Sequence, residues 1–154
     1  MPFPRGFAFS GDGALFLSSG VGPNGEGDNT IVAFAPGQNL NPSRLVSDAE
    51  LSPLDLAVAP NGNIVVSSEH PFGSADAVTS VREYGAADGR LIRVLSAGDS
   101  AEFREPRGLR FAPDGTLYCV VRDEVTAFDF GRGRCLGAVV RYPRLNGQAV
   151  VFSP

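Results

Sequence analysis

The sequence predicts an all-β domain made of repeated antiparallel hairpins, and three observations support this. The chain has 154 residues, of which 43% are hydrophobic and 19% are charged, a balance typical of one folded domain rather than a disordered segment. Its 19 glycines and 12 prolines predict many turns between short strands. One pattern occurs three times, at Pro4–Ser19, Ser52–Ser68 and Glu105–Val121. Repetition at this period indicates stacked or radial units.

Each copy begins with two strands joined by a tight turn. The turn dipeptides are Asp12-Gly13, Asn61-Gly62 and Asp114-Gly115. Apolar residues alternate before each turn, as at Leu109 and Phe111, which predicts a first strand with one buried face. After each turn the chain is apolar on both faces, as at Ile64–Val66, which predicts a second strand packed between two neighbouring sheets.

Two further strands complete each copy. An aliphatic residue three positions before an aromatic residue marks a third strand, at Ile31/Phe34, Val81/Tyr84 and Val125/Phe128. A fourth strand is predicted at Leu91–Leu95 and Leu136–Val140, with a weaker copy around Arg44–Val46. Four antiparallel strands per unit of about 40 to 50 residues match a β-propeller blade better than a sandwich.

One propeller domain therefore covers residues 1–154. Blade one is predicted at about 4–50, blade two at about 51–104 and blade three at about 105–143, and a fourth repeat begins at 144–154. This last segment aligns with a first strand through residues 148–154. It is expected to be exchanged with another chain, to lie free, or to substitute for the first strand.

The run Pro106–Tyr118, with its copies at Pro4 and Pro53, resembles NHL-type blades and is similar to those of gluconolactonase and regucalcin propellers. The resemblance covers nearly the whole chain and implies a six-bladed ring, of which three blades are present here. An open half-ring would expose apolar flanks. We expect that two chains close the ring as a homodimer; the alternative is that this is part of a longer propeller.

Charge and hydropathy exclude several classes of partner. The net charge is −4 and no cluster of Lys and Arg stands out, which argues against nucleic acid. No apolar stretch approaches the roughly 18 residues that a membrane helix needs. The first repeat begins almost at once, with no signal peptide before it, so the expected location is cytoplasmic.

Cys119 and Cys135 are the two cysteines of the chain. Cys119 falls on the second strand of the third copy and Cys135 near its fourth, with another strand expected between them. Two strand spacings of roughly 4.8 Å each are too far for a disulfide. We interpret both as small packing residues in a reducing compartment.

The connections between second and third strands are longer in blades one and two than in blade three. They are predicted at Gly20–Asn29 and Glu69–Asp76, on the face of a propeller that also carries the blade-to-blade connections. Asn24, Glu26 and Asp28 could bind a ligand or offer alternating oxygens to a divalent cation such as calcium. The alternative is a flexible or partner-binding loop without metal.

Two further positions are candidates for chemistry. Glu69 and His70 could act as a general base with its orienting carboxylate, or be ordinary loop residues. Asp55 occupies the position held by Gly6 and Gly108 in the other copies. The resemblance to lactonases implies a metal-binding carboxylate there, whereas the structural alternative is an acceptor for backbone N–H groups.

Arg5 and Arg107 occupy equivalent positions at the start of two first strands, with Leu54 between them. There they could line the channel mouth and attract an anionic group, or be solvated or paired with acidic loops. No Gly-x-Ser-x-Gly, His-Glu-x-x-His or phosphate-binding loop is present, and the chain has no tryptophan.

Two functions remain. We favour a binding module that presents its loop-rich rim to a protein or a small ligand, because every strong signal in the sequence is structural. No cofactor is predicted for it. The alternative is a metal-dependent lactonase or other hydrolase whose site at the channel mouth uses Asp55, Glu69, His70 and Asp28.

Overall fold

A computed structural model describes residues 3–21, 27–37, 42–48, 50–69, 79–95, 106–121, 124–141 and 150–151. Every regular element among these residues is a β-strand. The strands are β1 (Pro4–Phe9), β2 (Leu15–Val21), β3 (Gly27–Phe34), β4 (Ser43–Ser47), β5 (Pro53–Val58), β6 (Ile64–Ser68), β7 (Ser80–Tyr84), β8 (Leu91–Leu95), β9 (Pro106–Phe111), β10 (Leu117–Val121), β11 (Glu124–Asp129), β12 (Arg134–Arg141) and β13 (Val150–Val151).

The strands form three antiparallel sheets, two of four strands and one of five, and each contains a blade of four strands that are consecutive in sequence. Blade 1 is β1-β2-β3-β4, blade 2 is β5-β6-β7-β8 and blade 3 is β9-β10-β11-β12. The inner strand β5 contacts β1 on one side and β9 on the other, so the three blades adjoin along their first strands. The all-β, four-stranded blade architecture predicted from the sequence is confirmed.

The trailing strand β13 pairs within this chain. It lies antiparallel to β12, the outermost strand of blade 3, through Val140↔Val151 and Arg141↔Val150. In the single chain it is therefore not free and does not substitute for a first strand, whereas exchange with another chain stays a prediction. An outer strand offers a row of unpaired backbone N–H and C=O groups, to which an extended segment adds by main-chain hydrogen bonds.

The first turn of each blade has the same geometry in all three copies. The glycines Gly13, Gly62 and Gly115 have φ values of 88°, 84° and 85°. Each glycine N–H donates to the carbonyl three residues earlier, as Gly62 does to Ala59 at 2.8 Å. A left-handed φ strongly favours glycine. The tight turn predicted at each Asp-Gly or Asn-Gly pair is confirmed.

Two apolar cores hold the blades together, one at each blade-to-blade contact. Ile64 and Val66 of β6 pack with Phe16 and Ile31 of blade 1. Val65, the residue between them, packs with the opposite core, which blade 3 supplies through residues such as Leu109, Leu117, Cys119 and Phe128. Because neighbouring residues of a strand point to opposite faces, β6 is apolar on both faces over Ile64–Val66, and it is buried along its whole length.

A buried serine on the second strand also links each of the first two blades to the next. The Ser18 hydroxyl accepts from the Gly6 N–H at 2.9 Å and lies 3.2 Å from the Leu54 carbonyl of blade 2, to which it can donate. The Ser67 hydroxyl accepts from the Asp55 N–H at 3.0 Å and lies 2.7 Å from the Arg107 carbonyl of blade 3. Each serine thereby holds two inner strands at a defined spacing.

The cysteine positions agree with the spacing argument. Cys119 lies on β10 and Cys135 on β12, with β11 between them. Cys119 is a free, buried thiol. Burial raises its pKa to about 12, so the thiol is protonated at neutral pH. In the part of the chain that the structure describes, no helix has the length and apolar character to cross a membrane.

Candidate functional site at the inner strands

The first strands of the three blades line an open groove of about 590 Å³. It combines charged and apolar side chains. The lining residues are Arg5, Gly6, Phe7, Ala8, Phe9, Asp55, Leu56, Ala57, Val58, Arg110 and Phe111. In a propeller the first strands surround the central channel, so this groove is the part of the channel wall that the three blades supply.

Asp55 lies at the centre of this groove and connects blades 2 and 3. Its Oδ2 accepts the backbone N–H of Leu109 at 3.0 Å and a guanidinium N–H of Arg110, also at 3.0 Å. Leu109 is fully buried, so Asp55 supplies an acceptor that water cannot readily replace. The carboxylate therefore serves a structural role, with its partner on the next blade rather than in its own turn.

Gly6, the equivalent of Asp55 in blade 1, provides space for the Asp55 side chain. A Cβ on Gly6 would lie 2.5 Å from Asp55 Oδ1 and 2.7 Å from Asp55 Cα. A Cβ on Gly108 would lie 3.9 Å from Asp55 Oδ2, which is ordinary contact. Blade 1 can approach blade 2 this closely because Gly6 has no side chain.

Arg5 and Glu69 form an ion pair between blades 1 and 2. The Arg5 guanidinium lies 3.6 Å from the Glu69 carboxylate, and the two side chains are 31% and 21% exposed. Arg5 lies over Gly20, where a Cβ would be 3.0 Å from Arg5 Nε. Gly20 lies at the end of β2, and Glu69 directly follows β6. The pair therefore lies at the rim that carries the β2–β3 and β6–β7 connections.

Among the side chains that the structure describes, arginines outnumber carboxylates in this region. Arg107 begins the equivalent stretch of β9 and is exposed, and the Arg110 side chain is 78% exposed. With Arg5, this gives three arginines and the two carboxylates of Asp55 and Glu69. The full chain has a net charge of −4.

Several predicted site residues lie outside the described part of the chain. His70, Asn24 and Glu26 are among them. Asp28 lies on β3 rather than in a loop, because β2 continues to Val21 and pairs there with Gly27. The predicted connection Gly20–Asn29 is therefore shortened to residues 22–26. Among the described residues, no group of three or more His, Cys, Asp and Glu side chains is placed to hold a metal ion.

The rim of blade 1 also contains two buried side-chain oxygens that lack a hydrogen-bond partner among the described residues. They are Ser19 Oγ on β2 and Asn29 Oδ1 on β3. Both strands flank the connection 22–26. Buried polar atoms are usually paired in folded proteins, and the segment that joins these two strands lies outside the described residues.

Two buried charge networks were not predicted from the sequence. Glu83 accepts from Asn61 at 3.0 Å, from Asn63 at 2.7 Å and from Arg93 at 2.6 Å. Arg93 also stacks on the Phe130 ring of blade 3 at 4.6 Å from its centroid. Burial alone would raise the pKa of Glu83, but the hydrogen bonds from the two asparagines and Arg93 lower it overall.

The second network joins blades 1 and 2. Arg82 and the Tyr84 hydroxyl both donate to Asp48 Oδ2, each at 2.9 Å. Burial, followed by the hydrogen bond to Asp48, raises the pKa of Tyr84 well above its usual value. A short polar residue five positions before a blade's first strand is a weak sequence signal, so this role of Asp48 could not be read from the sequence.

Comparison with known proteins identifies the fold. No family model and no curated protein matches the chain. Among solved structures, it is similar to virginiamycin B lyase from Staphylococcus aureus, with 13% identity and a TM-score of 0.56, covering 83% of this chain and 39% of that one. It is also similar to a protein provisionally named a gluconolactonase, with 20% identity and a TM-score of 0.65, covering 96% and 55%.

A third similar structure is KlAtg21 in a complex with the coiled coil of AgAtg16, with 18% identity, a TM-score of 0.53 and coverage of 81% and 39%. The chain thus spans about two fifths to just over half the length of the structures it matches. At these identities the likeness concerns the fold alone. Together with the three sheets, it establishes that this chain consists of three blades of a β-propeller.

Proposed function

We propose that this chain is a propeller binding module and that the groove rim around Arg5 and Arg107 contacts an anionic group of its ligand or protein partner. The observation that carries the proposal is that the two carboxylates of this region, Asp55 and Glu69, already contact residues of a neighbouring blade. Asp55 is bonded to Leu109 and Arg110, and Glu69 to Arg5. Both carboxylates therefore contact another blade, and three arginines accompany them among the side chains that the structure describes.

The surroundings of the two arginines support this role. Arg107 is exposed, and the Arg5 guanidinium is held over Gly20 by its ion pair. A guanidinium offers paired N–H donors that match a carboxylate or a phosphate. The fold neighbour KlAtg21 binds a protein partner, a coiled coil.

A fluorescein-labelled hexaglutamate peptide is a suitable probe, with binding followed by fluorescence anisotropy at low ionic strength. We expect Arg107→Gln to weaken binding several-fold. Arg132→Gln is the matched control, because Arg132 is also an exposed arginine and follows β11 at the opposite rim. Equal losses in the two variants, or no binding by the unmodified chain, would argue against a specific rim site.

The lactonase alternative makes a separate demand on Asp55. It requires turnover of a δ-lactone in the presence of calcium or zinc. It further requires that Asp55→Asn abolish this turnover while leaving the thermal midpoint unchanged. The binding-module proposal predicts no turnover and a reduced thermal midpoint, because Asp55 connects two blades. Turnover that Asp55→Asn abolishes without changing the thermal midpoint would contradict the binding-module proposal and support the lactonase.

A further inference from the structure

Blade 1 has an exposed apolar face on the side turned away from blade 2. Phe7 is 64% exposed and Phe9 is 62% exposed. The two rings meet edge to face, with centroids 6.2 Å apart and an interplanar angle of 82°. Their equivalents, counted back from the turn glycine, include Leu56 in blade 2 and Leu109 in blade 3, which are 1% and 0% exposed.

These equivalents are buried because each packs on the preceding blade. Leu56 belongs to the core shared with Phe16 and Ile31 of blade 1. Leu109 belongs to the core shared with Ala57 and Val65 of blade 2. Phe7 therefore occupies a position that, in both internal contacts of this chain, is filled by a residue packing on another blade.

Blade 3 has the opposite kind of exposed face, and two of its residues differ from their equivalents. Val120 takes the place of Ser18 and Ser67, whose hydroxyls reach the next blade, and it is 45% exposed. Arg110 takes the place of Ala8 and Ala57, and its side chain is 78% exposed. This face thus has an apolar group and a long cation where the internal contacts have a hydroxyl and a methyl group.

The exposed faces of blades 1 and 3 complement each other. A phenyl ring at Phe7 fits an exposed guanidinium, since arginine stacks on aromatic faces, and Arg93 makes this contact with Phe130 between blades 2 and 3. The Arg110 guanidinium can bond to Asp55 through its edge and still offer its planar face. Val120 adds an apolar surface at the position where blades 1 and 2 have a serine. A serine there would be compatible with contact to water.

We propose that blade 1 of this chain packs on blade 3 of a second copy, so that two copies close one six-bladed ring about a two-fold axis. One symmetry operation covers both exposed faces, since each copy contributes blade 1 to one contact and blade 3 to the other. The groove lined by β1, β5 and β9 then becomes one side of a complete channel, and the second copy supplies the other side. The assembly depends on blade packing alone and needs no ligand.

Light scattering coupled to size exclusion at low micromolar concentration tests this assembly. We expect the unmodified chain to elute at twice its mass of 16.1 kDa. Phe7→Arg and Val120→Asp should each give a monomer, because one buries a second cation beside Arg110 and the other buries a carboxylate in an apolar contact. Ile92→Arg is the control; Ile92 is 45% exposed on β8, away from both faces, and its variant should remain a dimer.

Mixing the two monomeric variants gives the decisive measurement. In a ring of one Phe7→Arg chain and one Val120→Asp chain, one contact has only native residues and the other joins the two opposite charges. The mixture should therefore return to the dimer mass. Circular dichroism of each variant checks folding, which we expect to persist because both side chains are exposed in the single copy.

Four outcomes would overturn the proposal. A folded, monomeric unmodified chain would show that these faces do not pair with each other. Dimers of both single variants would place the contact elsewhere on the molecule. A monomeric Phe7→Arg with a dimeric Val120→Asp, or a mixture that stays monomeric, would indicate that blade 1 meets another surface than blade 3.

Discussion

Replacing Asp55 by alanine removes the side chain that joins the inner strands of blades 2 and 3. The Leu109 N–H, now bonded to Asp55 Oδ2 at 3.0 Å, loses its acceptor while Leu109 itself stays fully buried. Leaving a buried donor unpaired costs about 1–3 kcal/mol. The ion pair with Arg110 adds little, because the arginine side chain is 78% exposed and screened by water.

We therefore expect Asp55→Ala to lower the free energy of unfolding by about 2 kcal/mol. For a domain of this size, that corresponds to a fall of roughly 4–8 °C in the thermal midpoint. Urea unfolding gives the free energy, and hydrogen exchange at the Leu109 amide reports the same contact locally. Its exchange should become faster in the variant than in the unmodified chain.

Asp114→Ala is the matched control for this prediction. The Asp114 carboxylate also accepts a backbone N–H, that of Thr116 at 2.8 Å, but in an exposed turn where water can replace it. We expect it to cost less than about 1 kcal/mol. The structural role of Asp55 would be refuted by an unchanged midpoint in Asp55→Ala, or by equal losses in the two variants.

Three further predictions concern the turns and the buried network. Gly62→Val should cost about 1–2 kcal/mol in urea unfolding, because Gly62 has φ of 84° and no neighbour within contact of a Cβ; Gly11→Val, without a positive φ, should cost less. Gly89→Ala should lower the thermal midpoint more than Gly62→Val does, since its Cβ would lie 1.8 Å from the Leu45 carbonyl oxygen in addition to a φ of 67°. The pKa of Glu83 in the folded state lies below its ordinary value of 4.5. Its ionised form therefore stabilises the fold above pH 4.5, and this stability is lost as the pH falls through the pKa of the folded state. Glu83→Gln should be less stable than the unmodified chain at pH 7, and urea unfolding at a series of pH values should show the difference shrinking below pH 4.5; a constant difference would contradict the assigned network.

Other features of this protein were predictable because they depend on residues close in sequence. A β-hairpin needs alternating apolar residues and a glycine where φ is positive, and both are visible at Asn61-Gly62 and its two equivalents. The three turns have nearly the same φ, and the strands follow the predicted pattern. The predicted connection Gly20–Asn29 was too long because strand pairing continues to Val21 on one side and Gly27 on the other, and glycines such as Gly20 and Gly27 are typical of turns.

The sequence by itself determined that the chain is all-β, repeats three times and forms four-stranded blades, because periodicity and turn chemistry act over a few residues. Only the tertiary structure decided what the polar residues do. Asp55 meets the Leu109 N–H 54 residues away, and the Ser67 hydroxyl meets the Arg107 carbonyl 40 residues away. Such partners depend on the spacing and relative orientation of neighbouring blades. The pairing of β13 with β12 likewise depends on the unpaired edge of the blade 3 sheet. The physical reason is that the residue type of a carboxylate or hydroxyl does not specify its hydrogen-bond partner. The partner is the buried donor or acceptor that tertiary packing brings within hydrogen-bond distance.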